Sequence, residues 1–487
     1  MTARAVVDCD DLASPSLGPV TRVAATGAGS DRRPVFRWDN SDYATFYAPG
    51  FLCVVGQVGA DRFQMTIGPA ESGTTWGSEL WRRAGLAVAE ADRRRNGPFE
   101  PECLTLYMNN ECNLNCAYCH SDPAPQPASR LNLDLVAAAA KVVAESCRQR
   151  AQPFTVVFHG GGEPTLHRER VEQTLVRVRA IAARHGVETF LYIATNGNLS
   201  EADAVWLARE FDLVGLSCDG PPGIHNHQRP RWDGSGSLHL VERAGRILHE
   251  EGCRLHLRTT ITRGSLAHQA EIAQFICQRF SPEEIHFEPV YLGGRTGPPA
   301  GLDARHAAEF VNCFLDARSV ARGFGVPLTS SGTRPGSLHG PFCHLFRNVI
   351  NLVPGSGPGR GSTGVATACF KLTNADSVRE VGACIGELNR ESGHFEIDAQ
   401  RLQSLRPRLD AAPPACDGCF NFHHCARQCP DDCPLDGDFE QAPPGEPGFR
   451  CRVQKATASA ILQETAARLW VEATNSRDGE PRGTAIS

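Results

Sequence analysis

Between residues 104 and 292, short apolar runs alternate with stretches whose apolar positions recur every three or four residues. LTLYMN (104–109), FTVVFH (154–159), TFLYIAT (189–195), LVGLSC (213–218), LHLRTTIT (255–262) and IHFEPVYL (285–292) read as strands. Helical periodicity fills the gaps at 133–149, about 168–185, 200–211, about 237–251 and 267–280. Six strands at even spacing, separated by helices, predict an α/β fold with a parallel sheet, as an open barrel or a doubly wound sheet. Such folds place their sites at the C-terminal ends of the strands.

The flanks follow other patterns. Residues 1–33 are polar and rich in Gly, Ala and Ser, as expected of a disordered leader. Residues 34–100 hold the runs FLCVVGQV and FQMTI and then WGSELWRRAGLAVAEADRRR, a small α+β module. A helix is expected near 303–322. A Gly/Pro/Ser-rich, cysteine-punctuated region extends to about 451, a closing helix covers 452–473, and 474–487 is expected to be a disordered tail. There is no internal repeat beyond the strand–helix alternation.

Composition narrows the class. A chain of 487 residues is too long for one ordinary core and suits two or three domains. A net charge of −6 spreads no basic field, so nucleic acid is not the expected partner. No window approaches the ~20 apolar residues of a membrane span, and the first residues carry acids without an apolar signal core. A cytoplasmic protein is expected. The outlier is 20 cysteines, three of them within 112–119 and five within 416–433, which points to metal or cluster ligation.

CNLNCAYC sets Cys112, Cys116 and Cys119 in one short loop. Thiolates are soft ligands suited to Fe–S clusters or zinc. Three of them on a four-iron cluster would leave one iron open to an exogenous ligand. No fourth Cys or His follows at structural-zinc spacing, and His120 is adjacent but badly placed to join the same metal.

This CxxxCxxC after the first strand of a repeating α/β unit resembles the radical S-adenosylmethionine (SAM) superfamily. The resemblance implies a partial (β/α)6 TIM-like barrel and a four-iron cluster that binds SAM. It also implies reductive cleavage of SAM to a 5′-deoxyadenosyl radical that abstracts a substrate hydrogen. Further motifs follow in order. GGEP, with Gly161, Gly162 and Glu163, resembles the segment whose backbone holds the SAM amino group; alone it would be a turn. Thr195 and Asn196 of TNG resemble a ribose-side loop. SCDGPPGIHNHQR (217–229) resembles the S-x-D-G-P segment of the sulfatase-maturase-like branch, which implies SAM contacts from Ser217 and Arg229. Tyr118 matches the aromatic beside the adenine. Asp219 is expected to shape its turn. Arg258 faces either the barrel lumen or a surface ion pair.

The C-terminal cysteines, Cys343, Cys369 (after Gly364), Cys416, Cys419, Cys425, Cys429 and Cys451, resemble the SPASM extension. That implies two auxiliary four-iron clusters, one on Cys343, Cys369 and Cys429, the other on Cys416, Cys419, Cys425 and Cys451. CxxC pairs of this kind are also met in zinc sites. The branch has a further cysteine about six residues before Cys343, where this chain has Ser337. The fourth ligand of the first set is therefore open between Cys433, Cys384 and an uncapped iron. The branch also has an Asp after its match to Cys369, where this chain has Phe370, which argues against formylglycine formation. The Gly-rich insert PGSGPGRGSTG before Cys369 reads as a surface loop. Cys9, Cys53, Cys103, Cys147, Cys218, Cys253, Cys277 and Cys313 are isolated and suit small buried apolar roles.

The expected domains are thus a leader (1–33), an N-terminal module (34–100), a radical SAM core (101–310), a SPASM domain (311–473) and a tail (474–487). The resemblance implies an oxidoreductase that modifies a side chain of a ribosomally made peptide or a protein by crosslinking, thioether formation, oxidation or epimerisation. An external donor of flavodoxin or ferredoxin type would supply electrons. The alternatives are a small-molecule radical SAM dehydrogenase, a sulfatase-type maturase and, from another class, a non-catalytic Fe–S or zinc scaffold. The N-terminal module is either a leader-peptide recognition element, which would take a peptide as an added strand, or a lid or oligomer contact.

Overall fold

Along four of the six central strands buried side chains alternate with half-buried ones, so these strands have one face against helices and one against open space. In Leu255–Ile261, residues 255, 257, 259 and 261 are buried, while His256, Arg258 and Thr260 point the other way. The computed structural model describes residues 20–23, 33–68, 75–121, 129–291, 301–332, 334–355, 364–427, 429, 433, 435, 448–475 and 482–486. Most of the leader, Cys9 and most of the Gly-rich insert lie outside them.

The N-terminal module contains β1 (Thr21–Arg22), β2 (Phe36–Asp39), β3 (Tyr43–Ala48), β4 (Phe51–Gly56), α1 (Gln57–Gln64) and α2 (Thr75–Asn96). The core follows as β5 (Cys103–Leu106), α3 (Leu133–Arg150), β6 (Phe154–Phe158), α4 (Arg168–His185), β7 (Thr189–Thr195), α5 (Glu201–Glu210), β8 (Leu213–Ser217), α6 (Pro222–Gln228), α7 (Leu238–Glu250), β9 (Leu255–Ile261), α8 (Gln269–Phe280) and β10 (Glu284–Pro289). Beyond it come α9 (Ala307–Gly323), β11 (Leu328–Thr329), β12 (Val349–Val353), β13 (Val365–Thr367), α10 (Ala375–Glu380), β14 (Cys384–Leu388), β15 (Phe395–Ile397), α11 (Ala399–Asp410), α12 (Phe449–Asn475) and β16 (Arg482–Ala485).

The six predicted core strands pair in parallel in chain order, β5 to β10. Helix ends follow local chemistry. Asn132 caps α3 by accepting from the N–H groups of Asp134 and Leu135, Ser200 caps α5, and α4 stops at Gly186 with φ 65°. Inward positions of all six strands, Thr105, Val157, Ala194, Ser217, Arg258 and His286, line one cavity. The sheet therefore curves round that cavity as a partial barrel with helices outside.

The sheet does not end where the sequence suggested a boundary. β11 adds in parallel beside β10, and β12 adds in parallel beside β5, leading to antiparallel β13, β14 and β15. The division near 310 thus falls within one continuous sheet of 11 strands. An open barrel leaves two unpaired edges, and the C-terminal region covers both.

The second sheet has the order β1-β2-β3-β4-β16, all antiparallel. One face (Tyr43, Tyr47, Leu52, Val54) packs on Ala458, Leu462 and Leu469 of α12 and on Phe420. The other (Ala44, Phe46, Phe51, Cys53) packs on α1 and α2. Burial on both faces explains strands that read as continuous apolar runs. Two expectations need correction. The tail is ordered at 482–486, where β16 pairs with β4 and Ile486 is buried. The leader includes β1, paired with β2. In each case the backbone satisfies an edge that composition does not reveal. Of the isolated cysteines, Cys53, Cys147, Cys218 and Cys277 are buried, and Cys103, Cys253 and Cys313 are half-buried. No described helix is long and apolar enough to cross a membrane.

Candidate active site

The cavity of about 510 Å³ lies beyond the C-terminal ends of β5–β10, where the loops converge. The loop after β5 brings Cys112, Cys116 and Cys119 to its wall, with Cys116 and Cys119 both within electrostatic reach of Cys112. Burial pushes the Cys112 thiol up to about 12, with Glu163 adding to it. The Asn196 amide, 3.6 Å from Cys112 Sγ, is aimed at the sulfur.

Glycines after β6 let this loop be clasped from one side. The N–H groups of Gly162 and Glu163 donate to the carbonyls of Asn109 and Glu111 (2.8 and 2.7 Å). A Cβ on Gly162 would stand 1.8 Å from the Glu111 oxygen, and one on Gly161, where φ is +73°, 2.5 Å from that of Asn109. The Glu163 side chain is buried. Its carboxylate accepts from the N–H (3.2 Å) and hydroxyl (2.7 Å) of Thr165, the hydroxyl of Thr195 (2.9 Å) and the N–H of Asn196 (2.7 Å). Burial raises its pKa against those donors. Asn196 Nδ2 in turn donates to Asn113 Oδ1 at 2.8 Å. The polar atoms of Glu163, Thr195 and Asn196 therefore tie three loops together.

The segment after β8 clasps the loop from the other side. Asn115 and Ala117 donate their N–H groups to the carbonyls of Pro230 and Gln228 (2.8 and 2.9 Å), and Trp232 Nε1 donates to the Cys112 carbonyl at 2.8 Å. Asp219 is fully buried here. Its Oδ2 accepts from Arg229 Nε (2.9 Å), Tyr118 OH (2.7 Å) and Gln228 Nε2 (2.8 Å), and its Oδ1 from the Thr260 N–H (3.1 Å). Burial opposes ionisation, but Arg229 and His225 bring its pKa below the usual value. The Arg229 guanidinium stacks 5.3 Å from the Tyr118 ring centroid. Its terminal nitrogens have no partner among the described residues. Asp219 thus positions Arg229 and Tyr118, two of the residues expected at the SAM site. Ser217 also reaches the cavity wall.

Farther in, the wall is made by residues the motifs did not mark. Arg258 faces the lumen and donates to His159 Nε2 at 3.0 Å and Tyr192 OH at 3.4 Å. Burial lowers His159 and His344 to about 3 and His120 to about 4, so these imidazoles are neutral. Tyr107 OH donates to the Phe370 carbonyl, and the Phe370 ring packs edge-on to Phe342, 5.7 Å between centroids. Glu288 of β10 pairs with Arg450 of α12 (2.6 Å) and His286 (3.3 Å). Burial opposes its charge, yet Arg450 holds it down to about 2. His159, His286 and Glu288 occupy inward strand positions, so strand parity could have found them. Arg450 carries no sequence signal.

The C-terminal cysteines gather in two places. Cys343, Cys369 and Cys429 are buried and electrostatic neighbours. Cys416, Cys419 and Cys425 form the other group, and the Gln454 side-chain carbonyl, one turn of α12 beyond Cys451, meets Cys425 Sγ at 2.8 Å. Soft thiols grouped in threes, an amide aimed at sulfur and the terminal nitrogens of the Asp219-held guanidinium at the cavity wall fit four-iron clusters and a carboxylate-bearing cofactor.

Residues 106–276 match the model of the Radical SAM superfamily. A cysteine-type anaerobic sulfatase-maturating enzyme of Clostridium perfringens is 26% identical over 173 residues, 34% of this chain and 46% of the relative. A probable GTP 3′,8-cyclase of Methanocella arvoryzae is 30% identical over 117 residues, 24% of this chain and 34% of that protein. The chain therefore spans less than half the length of these curated relatives in the matched stretch. Among solved structures, native anSMEcpe with bound AdoMet and Cp18Cys peptide superposes over 76% of this chain and 99% of that one, with a TM-score of 0.56 and 17% identity, which establishes a shared fold.

Proposed function

Because this chain carries a radical SAM domain, whose superfamily works with a four-iron cluster and SAM, we propose that it is an oxidoreductase that modifies a side chain of a peptide or protein. In this reading Cys112, Cys116 and Cys119 hold the cluster. The observation that carries the reading is convergence: all six barrel strands and the cysteine loop deliver side chains to one cavity.

Cluster and SAM, when bound, supply a 5′-deoxyadenosyl radical able to take a hydrogen atom from carbon. The chain's own groups bind and orient. Arg229, fixed by Asp219, offers its terminal nitrogens to a carboxylate. Tyr118 closes one side as an aromatic wall, and Ser217 adds a hydroxyl. Phe342, Phe370 and Tyr107 narrow the cavity and keep water from a reactive centre. His120, His159 and His344, whose charged forms burial disfavours, line the cavity as neutral imidazoles. The two C-terminal cysteine groups would hold auxiliary clusters that carry an electron away from an oxidised product. An external donor of flavodoxin or ferredoxin type would start the cycle.

The peptide substrate is supported by the fold shared with a peptide-bound structure. The N-terminal sheet offers little room for a leader peptide, since β16 covers the β4 edge and helices cover both faces. We assign the module the role of bracing α12, with β1 as the remaining edge for an added strand.

A sulfatase-type maturase is the second reading, favoured by the matched relative. Phe370 tells against it, because its ring offers no base where that branch has a carboxylate. Anaerobic incubation with SAM, reductant and candidate peptides separates the cases. Loss of two hydrogens marks a crosslink, and gain of one solvent deuterium marks epimerisation. A cysteine-to-formylglycine change would support the maturase. Turnover of a small alcohol alone would support a dehydrogenase. No 5′-deoxyadenosine at all would leave a non-catalytic scaffold.

A further inference from the structure

We propose that Arg258 anchors the substrate by a carboxylate, so that the peptide modified here brings an acidic side chain or its own C-terminus into the cavity. The inference rests on the reading of this cavity as a SAM and substrate site, and adds the chemical class that the substrate must present. Arg258 occupies an inward position of β9, level with Ser217 of β8 on one side and His286 of β10 on the other. Its guanidinium meets only neutral partners. Nη1 donates to His159 Nε2 at 3.0 Å and to Tyr192 OH at 3.4 Å. A guanidinium has donors alone, so the His159 nitrogen accepts and that imidazole brings no charge. Nε and Nη2 have no partner among the described residues.

The nearby carboxylates are engaged elsewhere. Asp219 holds Arg229, Glu288 pairs with Arg450 and His286, and Glu163 accepts from Thr165, Thr195 and Asn196. Arg258 is therefore a cation inside the fold without a counter-charge among the described residues, which is costly unless an anion arrives. Arg347, the other cavity arginine with no carboxylate partner among them, is exposed and donates to His339, so water already screens it. The place of Arg258 is also built. Gly215 stands two residues before Ser217 on the same face of β8, and a Cβ there would lie 2.0 Å from the Tyr192 hydroxyl. Only glycine leaves that hydroxyl room to reach the guanidinium.

Holding Nη1 leaves the side-on edge of Nε and Nη2, the pair that grips a carboxylate with two parallel hydrogen bonds. In this reading Arg229 takes the carboxylate of SAM, and Arg258 remains for a second one. The neutral partners fix the fork without cancelling its charge, and the same charge disfavours a substrate that presents an ammonium group at this point.

The test uses full-length protein, reconstituted anaerobically and saturated with SAM, and three probes followed by ligand-detected NMR. N-acetyl-glutamate α-amide carries a side-chain carboxylate, N-acetyl-alanine a terminal one, and N-acetyl-glutamine α-amide none. Wild type is expected to bind at least one acid ~10-fold or more tighter than the neutral amide, a factor worth about 1.4 kcal/mol. Which acid it prefers tells a side chain from a C-terminus. Arg258→Met should abolish the preference and leave the neutral amide and SAM affinity unchanged, while Arg347→Met should keep the preference. Equal binding of acid and amide by wild type overturns the proposal, as does a preference that survives in Arg258→Met or is lost only in Arg347→Met. A fall in SAM affinity in Arg258→Met also overturns it, because the carboxylate held there would then be that of SAM. If Arg258→Met does not fold, Arg258→Lys decides: it keeps the charge but lacks the fork, so a reduced preference is expected and an undiminished one refutes the assignment. A protein that binds no SAM would instead refute the reading beneath, and the acid titration of the SAM-free protein would still report on Arg258.

Discussion

Asp219 and Arg229 form a buried ion pair, Oδ2 to Nε 2.9 Å, in which neither residue is more than one-tenth exposed. The carboxylate has three further donors, so the guanidinium is fixed while its terminal nitrogens stay available. Asp219→Asn leaves a buried cation without its counter-charge, a change that typically costs about 3–5 kcal/mol. We expect a lower denaturation midpoint and SAM affinity at least ~10-fold weaker, a factor worth about 1.4 kcal/mol, measured by urea titration and calorimetry. Wild-type SAM affinity in a folded Asp219→Asn protein would contradict the positioning role.

Gly162→Ala places a methyl group 1.8 Å from the Glu111 carbonyl oxygen, a backbone atom that cannot swing aside. The cysteine loop must then move. The variant is expected to retain far less iron after anaerobic reconstitution. Gly223→Ala, where a Cβ meets nothing within 4 Å, serves as the control and should retain wild-type iron.

Glu163→Gln keeps the shape and removes the charge. All four bonds to this carboxylate come from donors, so an amide must turn one NH₂ towards an N–H or hydroxyl. A loss of about 1–3 kcal/mol is expected for the unsatisfied donor. Thermal unfolding of the apoprotein reads it without any contribution from cofactor.

Glu288 gives a pH-dependent prediction. Its folded pKa is depressed to about 2, whereas an unfolded Glu titrates near 4.3. The unfolded state therefore binds the proton first as pH falls. The stability this group contributes is complete above about pH 4.5 and is lost as pH drops towards 2. Glu288→Gln should be less stable than wild type at pH 7, and that gap should shrink below pH 4.5. Urea midpoints of both proteins between pH 7 and 3.5 check it. A gap that is constant with pH would sink the idea.

Removing residues 476–487 uncovers the β4 edge and the Phe51 and Trp76 rings against which Gly483 sits. An unpaired apolar edge strand is a template for association. The truncated protein should show a lower melting temperature and larger species in size-exclusion chromatography.

The six core strands and their helices were legible because each carries its own period, and local burial obeys that period. The cysteine loop and Arg229 were legible because motif spacing within one segment survives folding. Glu288 and His159 were legible only in part, since strand parity marks a direction but not what lies along it. Arg450 was not legible at all: it reaches Glu288 from a helix 162 positions later in the chain. The ordered tail was missed because the four residues RGTA, which carry no strand pattern of their own, become a strand only when an edge is there to receive them.

Taken alone, the sequence determined a repeating parallel α/β unit, the three-cysteine loop at its first strand end and the cysteine-rich tail, because these are encoded within short stretches. Only the tertiary structure decided that Asp219 anchors Arg229 and Tyr118 and that Glu163 ties loops together. Those outcomes depend on which distant groups share a buried volume, where the cost of an unpaired charge or donor selects the partner.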